Sequence, residues 1–136
     1  MKAQVAVEYL IIIGVAMMIL LPLSLYLNQT LMGYKDDTKL SKGWNTVREL
    51  GQNADWVHSQ GPPAKVTVEI YVPEDVVEVS LDNNMILYRV RTLAGITEVY
   101  YDTVPALNGT LPDKSQYYYI SVTAINQTHV DFRVVK

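Results

Sequence analysis

The chain of 136 residues contains no cysteine and only one phenylalanine. Without thiols, neither a disulfide nor a thiolate metal site can staple the fold, so any core must hold by packing alone. Basic excess is missing as well. A net charge of −3 and a pI of about 5.2 give no footprint for nucleic acid, and no such partner is expected. No phosphate-cradling glycine loop, nucleophile elbow or zinc-ligand spacing occurs. His58 and His129 are the only histidines, and neither has a second ligand at metal spacing. The chain therefore reads as a non-enzyme, with no catalytic residue, cofactor or metal expected. Charge is also absent from one long stretch, since nothing between Tyr9 and Tyr34 is ionised.

That stretch is apolar almost throughout. Large aliphatic and methionine side chains fill it from Leu10 to Met32. Burying each contributes roughly 1.5–3 kcal/mol, so the segment belongs in lipid or against copies of itself. Its length, about 24 residues, suits a membrane span. No small-x-small cleavage site follows Leu27, as an ordinary secretory signal requires. Lys35, Lys39, Lys42 and Arg48 follow the run while only Lys2 precedes it. Read literally, this charge bias keeps the C-terminal part in the cytoplasm, but that part is longer than the loops the rule governs. Glu8 stands at the edge of the run with no neighbour in sequence to neutralise it. A carboxylate in an apolar medium needs a partner.

The run Gln4-x-Ala6-x-Glu8-Tyr9-Leu10, directly after Lys2-Ala3 and opening an apolar helix, resembles the class III signal of archaeal type IV pilin-like proteins. The departures are the short leader and Ala6, where the family often has serine. The resemblance implies that a prepilin peptidase cuts between Ala3 and Gln4 and leaves the apolar helix on the mature protein. It also implies that Glu8 meets the α-amine of Gln4 on a neighbouring subunit during assembly. The bland alternative is an acid at a helix start, favoured by the helix dipole. The partners implied are the peptidase, the pilus assembly machinery, the membrane before assembly, and then the chain itself as a helical homopolymer.

Residues 1–3 are thus read as a leader, and 4–33 as a membrane anchor that becomes filament core. Pro22 removes a backbone hydrogen bond and clashes with the carbonyl of Met18, which predicts a kink or local loosening. Residues 34–61 continue the helix amphipathically, with Leu40, Trp44, Val47, Leu50, Ala54 and Val57 at spacings of three and four. Gly43 and Gly51 weaken that helix but permit close packing against a sheet. Gly61-Pro62-Pro63 ends it. From there the period changes to two, and residues 62–136 read as a β-rich head of about six strands. The fold class is α+β, a long N-terminal helix packed on an antiparallel β-sandwich or barrel-like head. So small a head is expected to borrow the stripe Leu40–Val57 for its core.

Three Asn-x-Thr sequons occur. Asn108 and Asn126 fall in expected loops and are candidate N-glycosylation sites, while Asn28, inside the helix, is the weaker one. Glu74, Asp75 and Glu78 read as a solvated turn rather than a cation site. Trp44 and Trp56 read as packing beneath the sheet. Among ten tyrosines, the clusters Tyr100-Tyr101 and Tyr117-Tyr118-Tyr119 must expose some rings, because a strand alternates faces. The expected function is a structural subunit, the major pilin, of an extracellular filament serving adhesion by family resemblance. An archaellum-type motility subunit and a membrane-anchored, non-polymerising binding protein or minor pseudopilin stand as alternatives.

Overall fold

The structure, a computed structural model, describes every residue from Met1 to Lys136. Helix α1 (Lys2–Gln60) is followed by β1 (Lys65–Tyr71), β2 (Val76–Asp82), β3 (Met85–Thr92), β4 (Gly95–Asp102), β5 (Ala106–Gly109), β6 (Tyr117–Ala124) and β7 (His129–Val134). By internal contacts the chain divides into two compact units, residues 1–35 and 36–136.

The first unit is helix alone. Every side chain from Met1 to Gln29 is exposed, apolar ones included. The helix continues without a break through Pro22, where the carbonyl of Met18 has no amide to receive.

In the second unit the remainder of α1 has one buried face: Gly43, Thr46, Val47, Leu50, Gly51, Ala54 and Val57, at the spacing of a single helical stripe. Val47, Leu50, Ala54 and Val57 reach no solvent and share one core with both sheets. Gly51 is required there, because a β-carbon would fall on the ring of Tyr101. Thr46 stays buried because its hydroxyl donates to the carbonyls of Lys42, at 3.0 Å, and Tyr71, at 2.5 Å. The helix ends as its glycine predicts. Gly61 takes φ +76°, and its amide donates to the carbonyls of Val57 and His58 at 3.2 and 3.1 Å.

The strands form two sheets, a four-stranded one in the order β1-β6-β7-β5 and a three-stranded one in the order β2-β3-β4. They are not a closed barrel. Period-two alternation sets each inner face: Val68 and Ile70 on β1, Ile120 and Val122 on β6, and Val130 and Phe132 on β7 point to the core. The largest wholly buried side chain is Tyr88 on β3, whose hydroxyl donates to the carbonyl of Pro112 at 3.2 Å.

The α+β expectation holds, with seven strands where about six were expected, and three details need correction. The sheets are not wholly antiparallel, because β5 runs parallel to β7 with Asn108 opposite Asp131. Four residues ending in Asn-Gly carry no alternation, so their strand character comes from pairing with β7 rather than from local pattern. The loop expected at Asn108 is therefore the end of a sheet-edge strand, although Asn108 itself stays exposed. Trp44 and Trp56 do not pack beneath a sheet. Both are exposed, and Trp44 meets only the rim, its ring 6.1 Å from that of Tyr100.

Candidate functional site

Ala3, Gln4 and Glu8 lie in the first turns of α1, fully exposed, with the Ala3–Gln4 peptide inside helical residues. Glu8 forms no ion pair or hydrogen bond within the chain. Below it, Leu10, Ile11, Ile12 and their successors turn apolar surface outward around the whole helix, down to Leu27. From Tyr9 to Tyr34 that is about 39 Å of helix at 1.5 Å per residue, longer than a hydrocarbon core of roughly 30 Å. It is the one helix long and apolar enough to cross a membrane, and the 18-residue window that qualifies it is wholly exposed. Such a surface fits membrane anchoring. A helix that is apolar all round also has no preferred single face.

In the second unit, the helix is tied to the strands by polar contacts that the spacing of apolar residues could not reveal. Asp36 accepts the amide of Leu93 at 2.8 Å in the β3–β4 turn. Lys39 bridges Asp36 at 3.6 Å and Asp75 at 2.5 Å. At the far end Asp55 accepts the amide of Val104 at 2.8 Å. The hydrogen bond from Lys39 and its charge hold the Asp75 carboxyl below the usual carboxylate range and raise Lys39 in turn. Burial, with the Asp55 charge beside it, pushes the Tyr101 phenol up, and burial does the same more strongly at Tyr88.

The acids read as a solvated turn are thus divided. Asp75 is held by Lys39, and Glu78 pairs with Arg89 at 2.5 Å, whose other face meets Glu98 at 2.9 Å across the sheet. Only Glu74 remains a plain exposed turn residue. The Nδ1 of His129 lies 2.7 Å from the Thr128 hydroxyl, while the Nδ1 of His58 is buried without a partner.

The three sequons differ sharply. At Asn126 the side-chain carbonyl accepts the amides of Thr128 and His129 and the Thr128 hydroxyl, each at 2.8 Å, so Nδ2 is left unengaged in an exposed loop. Asn108 is exposed on the outer side of β5. At Asn28 the acceptor lies on a continuous helix, and the Thr30 hydroxyl is already spent on the carbonyl of Tyr26 at 2.9 Å.

Sequence reasoning missed one concave feature. A cleft of about 600 Å³ opens on the four-stranded sheet beside Lys65, Ser121, Thr123, Asp131 and Arg133. Its residues are far apart in sequence, and the outward positions of β1, β6 and β7 were the only available sign. Compared with known proteins, the chain matches no family model, no curated protein and no solved structure.

Proposed function

We propose that this chain is the structural subunit of an extracellular filament of the archaeal type IV pilus kind, serving adhesion. A membrane-inserted precursor would be cut between Ala3 and Gln4 and then extracted into a polymer whose core is a bundle of the apolar helices. One observation carries this reading: an exposed, largely apolar helix that carries no charge for longer than a hydrocarbon core is thick, with one unpartnered acid, Glu8, at its start. In the polymer the helix exchanges lipid contacts for contacts with identical helices, so gross burial is conserved and specificity falls to packing and to Glu8. The contact is heterologous and therefore extends into a filament rather than closing. Asn108 and Asn126, exposed in the second unit, suit N-glycosylation of such a subunit.

The N-terminal sequence of the mature protein tests the processing step. It is expected to begin at Gln4, and a start at Met1 or beyond Leu27 would refute it. Glu8→Ala is expected to leave membrane insertion intact while abolishing filaments seen by electron microscopy, and normal filaments from that variant would dismiss the pairing role. A second reading, a membrane-anchored binding protein that does not polymerise, is favoured by the cleft on the four-stranded sheet. Purified surface filaments containing this chain would exclude it.

A further inference from the structure

The outer face of the four-stranded sheet is met at its Tyr71 end by Lys42 of α1, whose Nζ lies 4.6 Å from that ring, and lies open along β6 beyond it. Along β6 its outward residues are Tyr117, Tyr119, Ser121 and Thr123, about 20 Å of strand at roughly 3.4 Å per residue. The two ends of this line differ. At one end, the rings of Tyr71 and Tyr117 lie 4.8 Å apart and tilted by 57°, with Tyr119 next along the strand. Tyr117 is 66% and Tyr119 44% exposed, so apolar ring area faces water here.

At the other end lies the 600 Å³ cleft. It exists because register places short side chains between long ones: Lys65, Thr123 and Asp131 share one row, and Ser121 stands opposite Arg133 in the next. Ser121, only 4% exposed, has one polar neighbour, the Thr123 hydroxyl at 3.4 Å, so most of its hydrogen-bonding capacity is unspent. Asp131 and Arg133 approach to 3.7 Å and present acceptor and donor side by side. Ile125 and Val135 supply an apolar rim.

Flat rings followed by paired donors and acceptors fit a chain of pyranose sugars. The negative face of an aromatic ring attracts the polarised C–H face of a sugar, while hydroxyls and a carboxylate bind its diols. In the cleft two cations, Lys65 and Arg133, outnumber one acid, Asp131, within a protein of net charge −3. That local excess favours a sugar carrying a carboxylate, which guanidinium binds through two hydrogen bonds. Single-stranded nucleic acid would use the same rings and cations, but its phosphodiesters have no hydrogen to donate to Asp131, whereas a sugar diol does.

We propose that this face binds an acidic polysaccharide, with pyranose rings on Tyr117 and Tyr119 and a uronate carboxylate at Lys65 and Arg133. The site is independent of whether the chain polymerises. Calorimetric titration of the full chain in detergent micelles, with polygalacturonate, dextran, polyglutamate and oligothymidylate as probes, tests it. Saturable binding of polygalacturonate is expected, at least tenfold tighter than dextran, with no binding of the other two. Replacing Tyr117 and Tyr119 by alanine should weaken polygalacturonate at least tenfold. Arg133→Ala, at a side chain that is 81% exposed and safe for folding, should erase the preference over dextran. No polygalacturonate binding, equal binding of polyglutamate or oligothymidylate, or indifference to the tyrosine and Arg133 changes would overturn the proposal. Self-association of the chain lost in the same variants would reassign the face to contacts between copies.

Discussion

Leu20 and Leu50 belong to one continuous helix, yet Leu20 is 56% exposed and Leu50 is wholly buried. Around Leu20 the helix is apolar on all sides and its side chains are exposed. Around Leu50 it is amphipathic, and its inner stripe completes a core with two sheets. The same residue type therefore does different work in the two halves. In the second half, leucine stabilises this chain's own fold. In the first, it stays exposed, which is compatible with membrane anchoring. A long helix can serve both ends because its backbone hydrogen bonds are internal and ask nothing of the surroundings.

The contrast is sharpest in a pair of truncations. Leu50→Ala is expected to destabilise the second unit by about 2–5 kcal/mol in denaturant unfolding, because it leaves a cavity in a closed core. Leu20→Ala should leave that unfolding transition where it is, and a comparable loss there would break the comparison.

Glycine gives a smaller effect with a sign attached. Gly51→Ala forces a methyl into the Tyr101 ring and should cost about 1–3 kcal/mol, read from the same transition. Gly43→Ala places its methyl 3.5 Å from Val99, an ordinary contact, so helix propensity dominates and the variant should gain up to about 1 kcal/mol. Destabilisation at both sites would mean that the whole inner stripe is closed to a β-carbon.

Buried phenols provide a third check, through alkali. Burial raises the Tyr88 phenol above its ordinary value of 10.0, so the unfolded chain gives up this proton first. The stability it contributes is complete below about pH 10 and is lost as pH rises through the raised value. Tyr88→Phe should flatten that alkaline loss, at the expense of the hydrogen bond to Pro112. The first half of α1 has no buried phenol and should show no such dependence in its helicity.

The smallest effect is expected at the exposed tie between Lys39 and Asp75. Asp75 has a lowered carboxyl, so its contribution is present above the ordinary carboxylate value and lost as pH falls through the lowered one. Asp75→Asn should remove that acid-side slope and little else, and added salt should weaken the difference further.

Much of the fold was legible in the sequence because burial leaves a period. The stripe Val47, Leu50, Ala54, Val57 announced the core-facing helix, and alternation along Val66–Val72 and Tyr117–Ala124 announced strands. The first half of α1 was legible for a different reason, since a run without charge needs no period to be recognised. Trp44 shows the limit. It lies one step from the stripe, and only the position of the sheets decides that its ring meets the rim at Tyr100 rather than the core. The edge strand β5 shows another, because a four-residue strand takes its conformation from β7 and not from its own residues.

The sequence by itself determined that one end of this chain is an apolar helix with a lone acid at its start. It also determined that the other end needs a helix stripe to close its core. Both follow from the chemistry of single residues and their spacing, which act locally. Only the tertiary structure decided which polar groups meet: Asp36 with Leu93, Asp55 with Val104, and Lys65, Ser121, Asp131 and Arg133 around one cleft. Those meetings depend on strand register and sheet order, where a shift of one residue turns each side chain to the opposite face.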